Sequence, residues 1–321
     1  MADISKANGH NDGEAADGGA RSGAKWAPPV RLGVRKAYKM YVGGAFIRSE
    51  SGRYFQVQES KAKGDEGTVE NVPLASRKDS RDAVKVALTA WDGWSKRSAS
   101  NRGQILYRLA EMLEARRDEL AQSLVRGGSS EADAEREVIA TIDRSIAYAG
   151  WADKYQSLFS SLNPVPGPHF DFTLPESMGV VVIAAPTRPA LLGLASAILP
   201  VIVSGNTCIV IASEDDPRTA ITFSEALATS DLPGGVVNIL TGKASEVLPH
   251  FARHMEVAAL DLHAVAPALG KELEELAVES VKRVRTRNLE AEAWFDAGAC
   301  ETPRWIERFV EMKTIWHPSG G

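Results

Sequence analysis

Few residues in the chain have the type and spacing to do chemistry. Cys300, closing Asp296-Ala297-Gly298-Ala299-Cys300, is one of two cysteines, the other being Cys208. A cysteine is a nucleophile only as a thiolate, which needs a positive and partly exposed setting. Arg287 and Arg304 are near enough in sequence to supply the charge; the competing reading makes Cys300 a linker residue. His250 and His254 stand one helical turn apart and could share a metal ion. They lack a third ligand and the glutamate of an HExxH pair, so no metal site is expected. No GxGxxG or Walker-type phosphate loop occurs. The Trp and Tyr residues of the N-terminal helices recur at helical spacing and belong to a core rather than a ligand cage.

The stretch that must position such groups is residues 179–242. Apolar runs at 180–185, 207–211 and 236–240 alternate with two helical segments. Short continuous apolar strands separated by helices are the pattern of a parallel sheet covered on both faces. An α/β fold is expected.

Around this unit the chain divides in order. Residues 1–35 are rich in Ala, Gly, Asp, Asn and Ser and are expected to form a disordered leader. Residues 36–58 read as a β-hairpin near the surface, turning at Gly43-Gly44 and Gly52. Helices fill 59–163. The first is capped by Ser80 and buries Ala83, Val84, Ala87, Leu88 and Trp91; the second runs over 98–125 and the third over 131–155. Pro164, Pro166 and Pro168 mark a boundary, and the sheet occupies 164–290, with further helices at 244–252 and 269–280 around an apolar run at 257–262. A bridge, 291–305, leads to an alternating strand within 306–321.

The bulk numbers narrow the function. The 321 residues suffice for two domains and a substantial core. A net charge of -5 without a long Lys/Arg run gives no electrostatic support for nucleic acid or an anionic membrane as a partner. The longest apolar stretch, 191–203, is broken by Gly193, Ser196 and Pro200 and is too short to span a bilayer. Two cysteines and no secretory signal at the start lead to the expectation of a cytoplasmic protein.

Several motifs, in one order, make the chain resemble the aldehyde dehydrogenase superfamily. They are Gly179-Val180-Val181, the Leu191-Leu192 helix with Pro200, Ser204-Gly205-Asn206-Thr207, Ser213-Glu214, Pro217 with Thr219-Ala220, and Leu232-Pro233-Gly234-Gly235-Val236-Val237-Asn238. Val42-Gly43-Gly44, the Trp91/Trp94 pair, the helix at 102–120 and Met312-Lys313-Thr314-Ile315-Trp316-His317-Pro318 match in their expected places. The likeness is nearly continuous over 38–287, then jumps across the bridge to the family's final segment. It implies a three-layer Rossmann-like coenzyme-binding domain with a β oligomerisation region and most of the catalytic domain missing. The chain looks most like the second, degenerate module of two-module members.

The resemblance also implies where chemistry would sit. Thiolate attack, oxyanion stabilisation, water activation and hydride transfer each need a group. The family's oxyanion Asn turn is Pro186-Thr187-Arg188-Pro189-Ala190 here, and its ribose-binding Lys falls on Ile211. The degenerate cofactor positions are therefore Pro186, Thr187, Ser213 and Glu214. The Gly-rich phosphate turn falls at His263-Ala264-Val265-Ala266-Pro267, where Pro267 removes a donor. The catalytic Glu lands on or beside Arg287, with Glu290 shifted, and Cys300 stands where the nucleophile's surroundings are only partly kept.

The resulting expectation is a catalytically inactive homologue with no or weak NAD(P) binding, acting as a structural or regulatory subunit. It would be a homo-oligomer or a hetero-oligomer with a full-length aldehyde dehydrogenase, pairing through the terminal strand. The alternatives are an NAD(P)-dependent aldehyde oxidoreductase using Cys300, or a nucleotide-binding module without chemistry.

Overall fold

The computed structural model describes residues 34–59 and 68–319. The leader expected at 1–35 falls almost wholly outside them. The compact unit is Ala37–Gly321.

The unit opens with a hairpin, β1 (Met40–Val42) and β2 (Ala45–Ile47). Gly43 and Gly44 turn it with positive φ, and a Cβ on neighbouring Gly234 would lie 2.5 Å from the Gly43 carbonyl oxygen. Only glycines permit that approach. A second hairpin joins β3 (Tyr54–Gln58) to β4 (Val69–Pro73). The first helix, α1 (Arg77–Ser95), is capped by Ser76 rather than the expected Ser80. Ser76 Oγ accepts from Asp79 N while the Asp79 carboxylate accepts from Ser76 N, a reciprocal cap. Ser80 lies inside the helix, where its hydroxyl donates to the Ser76 carbonyl.

The helix expected at 98–125 is two, α2 (Ala99–Ala115) and α3 (Arg117–Arg126), because Arg116 leaves helical geometry. Leu113 and Leu120, on either side of that break, both reach the core. Next come α4 (Glu131–Trp151), the short α5 (Tyr155–Phe159), β5 (Ser161–Asn163) and β6 (His169–Ser177).

The layered part follows as β7 (Val180–Ala184), α6 (Leu192–Val203), β8 (Thr207–Ile211), α7 (Pro217–Leu227), β9 (Val237–Leu240), α8 (Ala244–Ala252), β10 (Val257–His263), α9 (Pro267–Ala277) and β11 (Arg283–Arg287). The sheet order is β11-β10-β7-β8-β9-β1-β2, parallel from β11 to β9. Alternate residues of each strand face opposite layers. Val181, Ile183, Cys208 and Val210 meet the core formed with α2, α4, α6 and α7. Val180, Val182, Ile209 and Ile211 meet α1, α8 and α9. The fold is the expected three-layer α/β arrangement.

Two elements depart from expectation. The first hairpin is core, not surface: Met40 and Tyr41 are buried, and Tyr41 pairs with Ile239, so β1 and β2 close one edge of the main sheet. Strand β11 is a strand despite three arginines in Arg283-Val284-Arg285-Thr286-Arg287, which hide its period in the sequence.

The bridge forms short helical turns at Ala291–Phe295, α10 (Ala297–Cys300) and α11 (Arg304–Glu307), and β12 (Val310–Pro318) then pairs antiparallel with β6. Its first residues, expected in the strand, are a helical turn instead. A three-stranded sheet β12-β6-β5 results. Among the described residues no helix is long and apolar enough to cross a membrane.

One side chain joins these parts. Buried Asn206 accepts from Met178 N (2.7 Å) and Gly179 N (2.9 Å), and donates to Ser204 Oγ (2.7 Å) and the Phe309 carbonyl (2.6 Å). Replacing it with alanine leaves main-chain groups unpaired, each costing about 1–3 kcal/mol. Asn206→Ala is therefore expected to lower stability by at least ~2 kcal/mol, read as a lower urea midpoint.

Candidate functional site

Strand order reverses at β7, which runs on through β8 to β9 in one direction while β10 lies on its other side. In such sheets the crevice outside the carboxyl ends of the strands, at the reversal, is the ligand site. Here that crevice has a volume of about 380 Å³ and is walled by Ala184, Thr187, Ile211, Ser213, Glu214 and His263, among others.

The turn after β7 shapes one wall. Pro186 is buried against α6, where a Cβ on Gly193 would meet its Cγ at 2.5 Å, so it is a packing residue. Glu137 of α4 receives Leu191 N (2.6 Å) and Leu192 N (3.1 Å) at the start of α6. Burial pushes the Glu137 carboxyl above the usual carboxylate range, against the two amide bonds. Arg188 points away: it is exposed and donates to Ser129 Oγ (3.0 Å) and the Gly127 carbonyl. It therefore holds the end of α3, not an oxyanion.

The expected cofactor positions come together only in part. Thr187, Ser213 and Glu214 share the crevice, whereas Pro186 is packed behind it. Ser213 Oγ accepts from Asp215 N (3.3 Å), and Glu214 accepts from Ala244 N (2.8 Å), so its carboxylate caps α8. Ile211 is buried. The crevice wall carries Glu214 and Asp215 and no Lys or Arg among the described residues. Pro267 is the first residue of α9, removing one N–H where a pyrophosphate would need donors. A dianionic pyrophosphate would find no Lys or Arg partner in this lining.

Cys300 lies elsewhere, under the bridge. It is 1% exposed, with Sγ 3.5 Å from the Ala293 carbonyl oxygen. Burial raises its thiol pKa, with Arg144 and Arg287 opposing the shift. The expected partner Arg304 is exposed, and the nearby cation that the sequence did not reveal is Arg144. Its signal was a lone arginine on the inner face of α4. Arg144 is buried and donates to Ser196 Oγ, the Trp294 carbonyl (2.8 Å) and Glu301 (3.2 Å). Tyr148 donates to the Cys300 carbonyl (2.9 Å) and Trp151 to that of Glu301 (2.6 Å). Glu290 is exposed at the start of the bridge, and the neighbours that shift the thiol are Arg144, Arg287 and Asp296.

His250 and His254 line a cavity of about 230 Å³ with Arg77, Arg81 and Arg253. Burial, then Arg77 and Arg253, hold the His250 imidazole below its usual value, and burial does the same for His254. Such surroundings repel a cation.

Sequence patterns also missed Asp261 and Arg285, which share one face of β10 and β11 with His263 and Arg287 through the pairs Asp261↔Arg285 and His263↔Arg287. The available signal was charge alternating at every second residue in adjacent strands.

Two outcomes follow from these environments. Native protein at mildly alkaline pH should resist thiol-labelling reagents at both cysteines, and both should react after unfolding, because burial raises both thiol pKa values. A carboxyl whose pKa is raised on folding binds more protons folded than unfolded, so its contribution falls as pH rises through the carboxylate range. Glu137→Gln keeps the acceptor and removes that fall, so at neutral pH it should be at least as stable as wild type in urea. Glu137→Ala should lose about 1–3 kcal/mol.

Comparison with known proteins places these features in context. The profile of the aldehyde dehydrogenase family matches residues 46–288. Cytosolic 10-formyltetrahydrofolate dehydrogenase of Xenopus tropicalis is 30% identical over 257 residues, which are 78% of this chain and 28% of that protein. Hydroxyisobutyraldehyde dehydrogenase of Mycolicibacterium austroafricanum is 30% identical over 76% of this chain and 47% of its own length. Among solved structures, an NAD-dependent aldehyde dehydrogenase from Sinorhizobium meliloti superposes with a TM-score of 0.73 at 27% identity, covering 79% of this chain and 50% of that one. The chain thus spans half or less of the length of these relatives.

Proposed function

Since the chain belongs to the aldehyde dehydrogenase family, we propose that it has kept the family's sheet without its chemistry and serves as a structural or regulatory subunit. The observation that carries this reading is the bridge: it buries Cys300 with a raised thiol pKa, and the same bridge residues are bonded to α4. A thiol so placed cannot reach a carbonyl carbon, and the neighbouring Asp296 carboxylate raises its pKa further. The acidic crevice argues in the same direction for the coenzyme, which leaves a nucleotide-binding module with less support than a scaffold.

The partner surface is the sheet β12-β6-β5. Among the described residues, strand β12 pairs on one side only, with β6, and offers the other edge of a nine-residue strand. Ile315, Phe172 and Leu162 form a cross-strand row flanked by exposed Phe170 and Leu174. An alternating open edge beside an apolar row is suited to strand addition by a second chain. The occupant proposed is another subunit bearing the same three-stranded sheet, whether a copy of this chain or a full-length aldehyde dehydrogenase.

Sedimentation of the purified chain, alone and mixed with a full-length family member, should show a dimer or a mixed complex that Ile315→Asp weakens at least tenfold. A monomer forming no mixed complex overturns the subunit reading. Incubation with NAD or NADP and a panel of aldehydes should give no reduced cofactor. Turnover that disappears in Cys300→Ser would establish the oxidoreductase alternative instead.

A further inference from the structure

The inner face of β10 and β11 holds a group of buried polar atoms for which the described residues supply no hydrogen-bond partner. They are Arg287 Nε, Nη1 and Nη2, Arg285 Nη1, Trp294 Nε1, His263 Nδ1 and Asp261 Oδ1. All but His263 Nδ1, whose role depends on its tautomer, and Asp261 Oδ1 are donors. They are gathered around one ring: the Arg287 guanidinium lies 3.3 Å and that of Arg285 5.6 Å from the Trp305 centroid, and the Trp294 ring is 5.7 Å from it. Trp294 also lies 5.3 Å from the His263 ring. The carboxylate of Asp261 is already held by His263 Nε2 at 2.9 Å, and its second oxygen is 3.8 Å from Arg287 Nε.

The charge count points the same way as the donor count. Two guanidinium groups face one carboxylate, because Arg283 of the same strand pairs outward with Glu311 at 2.8 Å. Arg287 and Trp294 are both more than nine-tenths buried. A buried guanidinium without acceptors carries a large desolvation penalty. Water would satisfy its N–H groups but would not neutralise the remaining charge. Stacking on Trp305 occupies the flat face of Arg287 and leaves its edge, with parallel N–H bonds, for an acceptor lying in its plane. Arg285 is half-buried, the least covered member of the group.

We propose that Arg285, Arg287 and Trp294 form a binding site for a small oxyanion, a carboxylate or a phosphate, taken two-pronged by the edge of Arg287 and completed by Trp294 Nε1 and Arg285 Nη1. The site adjoins the acidic crevice, with His263 common to both, and does not depend on a partner subunit or on catalysis.

Thermal unfolding of the full chain in sodium phosphate, sodium acetate and sodium chloride at matched ionic strength tests it. The expected result is a midpoint that rises and saturates with phosphate or acetate beyond the chloride control, as ligand linkage requires. Whichever of the two acts at lower concentration identifies the anion as tetrahedral or planar. Arg287→Lys, which keeps the charge but loses the two-pronged edge, should weaken the response at least tenfold, and Arg287→Met should abolish it. If Arg287→Met does not fold, Arg285→Gln carries the comparison and should weaken the response several-fold. No anion-specific rise in the wild type, or equal rises in wild type and variants, overturns the site. Because the readout is the chain's own unfolding, either result leaves the subunit proposal to stand or fall by its own measurements.

Discussion

Helix α6 is buried along all twelve of its residues, and much of the surrounding structure exists to satisfy that condition. A helix leaves N–H groups at its start and carbonyls at its end without internal partners, and a buried one cannot turn to bulk water for them. At the start, Glu137 takes the amides of Leu191 and Leu192. At the end, the carbonyls of Val201, Ile202 and Val203 receive Ser204 Oγ, Trp94 Nε1 and Arg102 Nε in turn. Glu137, Trp94 and Arg102 come from α4, α1 and α2, so the N-terminal helices are fixed in place by the ends of a helix far from them in sequence. Asn206 extends the same logic by two residues, tying the exit of α6 to the strand before it and to the start of β12.

The same condition accounts for the fate of the thiol. The outer side of α6 must be covered, and in this chain the segment that follows β11 does so. Trp294, Cys300, Trp305 and Ile306 join the core around α6, while Arg144 passes between α4, Ser196 of α6 and the bridge. A residue used to close a core cannot also stand open to a substrate. Cys300 is buried in that cover, with Arg144 and Arg287 close to its thiol.

The layered core was legible in the sequence because its strands are continuous apolar runs: 207–211 coincides with β8 and 244–252 with α8. Three things were not legible, each for a physical reason. The hairpin at Met40–Val42 reads as surface because short strands look alike whether they lie over a sheet or complete its edge. Ser80 competes with Ser76 as a cap, and only the reciprocal bond to Asp79 decides between them. Arginines in β11 conceal a strand because their charge outweighs their backbone preference in any pattern of hydrophobicity. For the site, substitutions at Thr187 and Ile211 were readable one by one. That Glu214 caps α8, that Arg188 turns to Gly127, and that Arg144 rather than Arg304 accompanies Cys300 depend on long-range packing and could not be.

Strand β11 shows how one row of side chains can meet several demands at once. As the last strand of the main sheet it presents an open edge, and a charged edge is guarded against pairing with other chains. Arg283 uses its position to donate to the Val310 carbonyl (2.7 Å) and to pair with Glu311, attaching β12 to the main sheet. Arg285 and Arg287 continue the row inward under the bridge, where the aromatic rings that cover α6 also cover them. The same arginine row thus links the two sheets at one end and concentrates positive charge at the other. With Glu214 and Asp215 in the crevice on the far side of β10, the strand reversal divides the protein's charge, acidic where the fold invites a nucleotide and basic where the bridge has closed over the sheet.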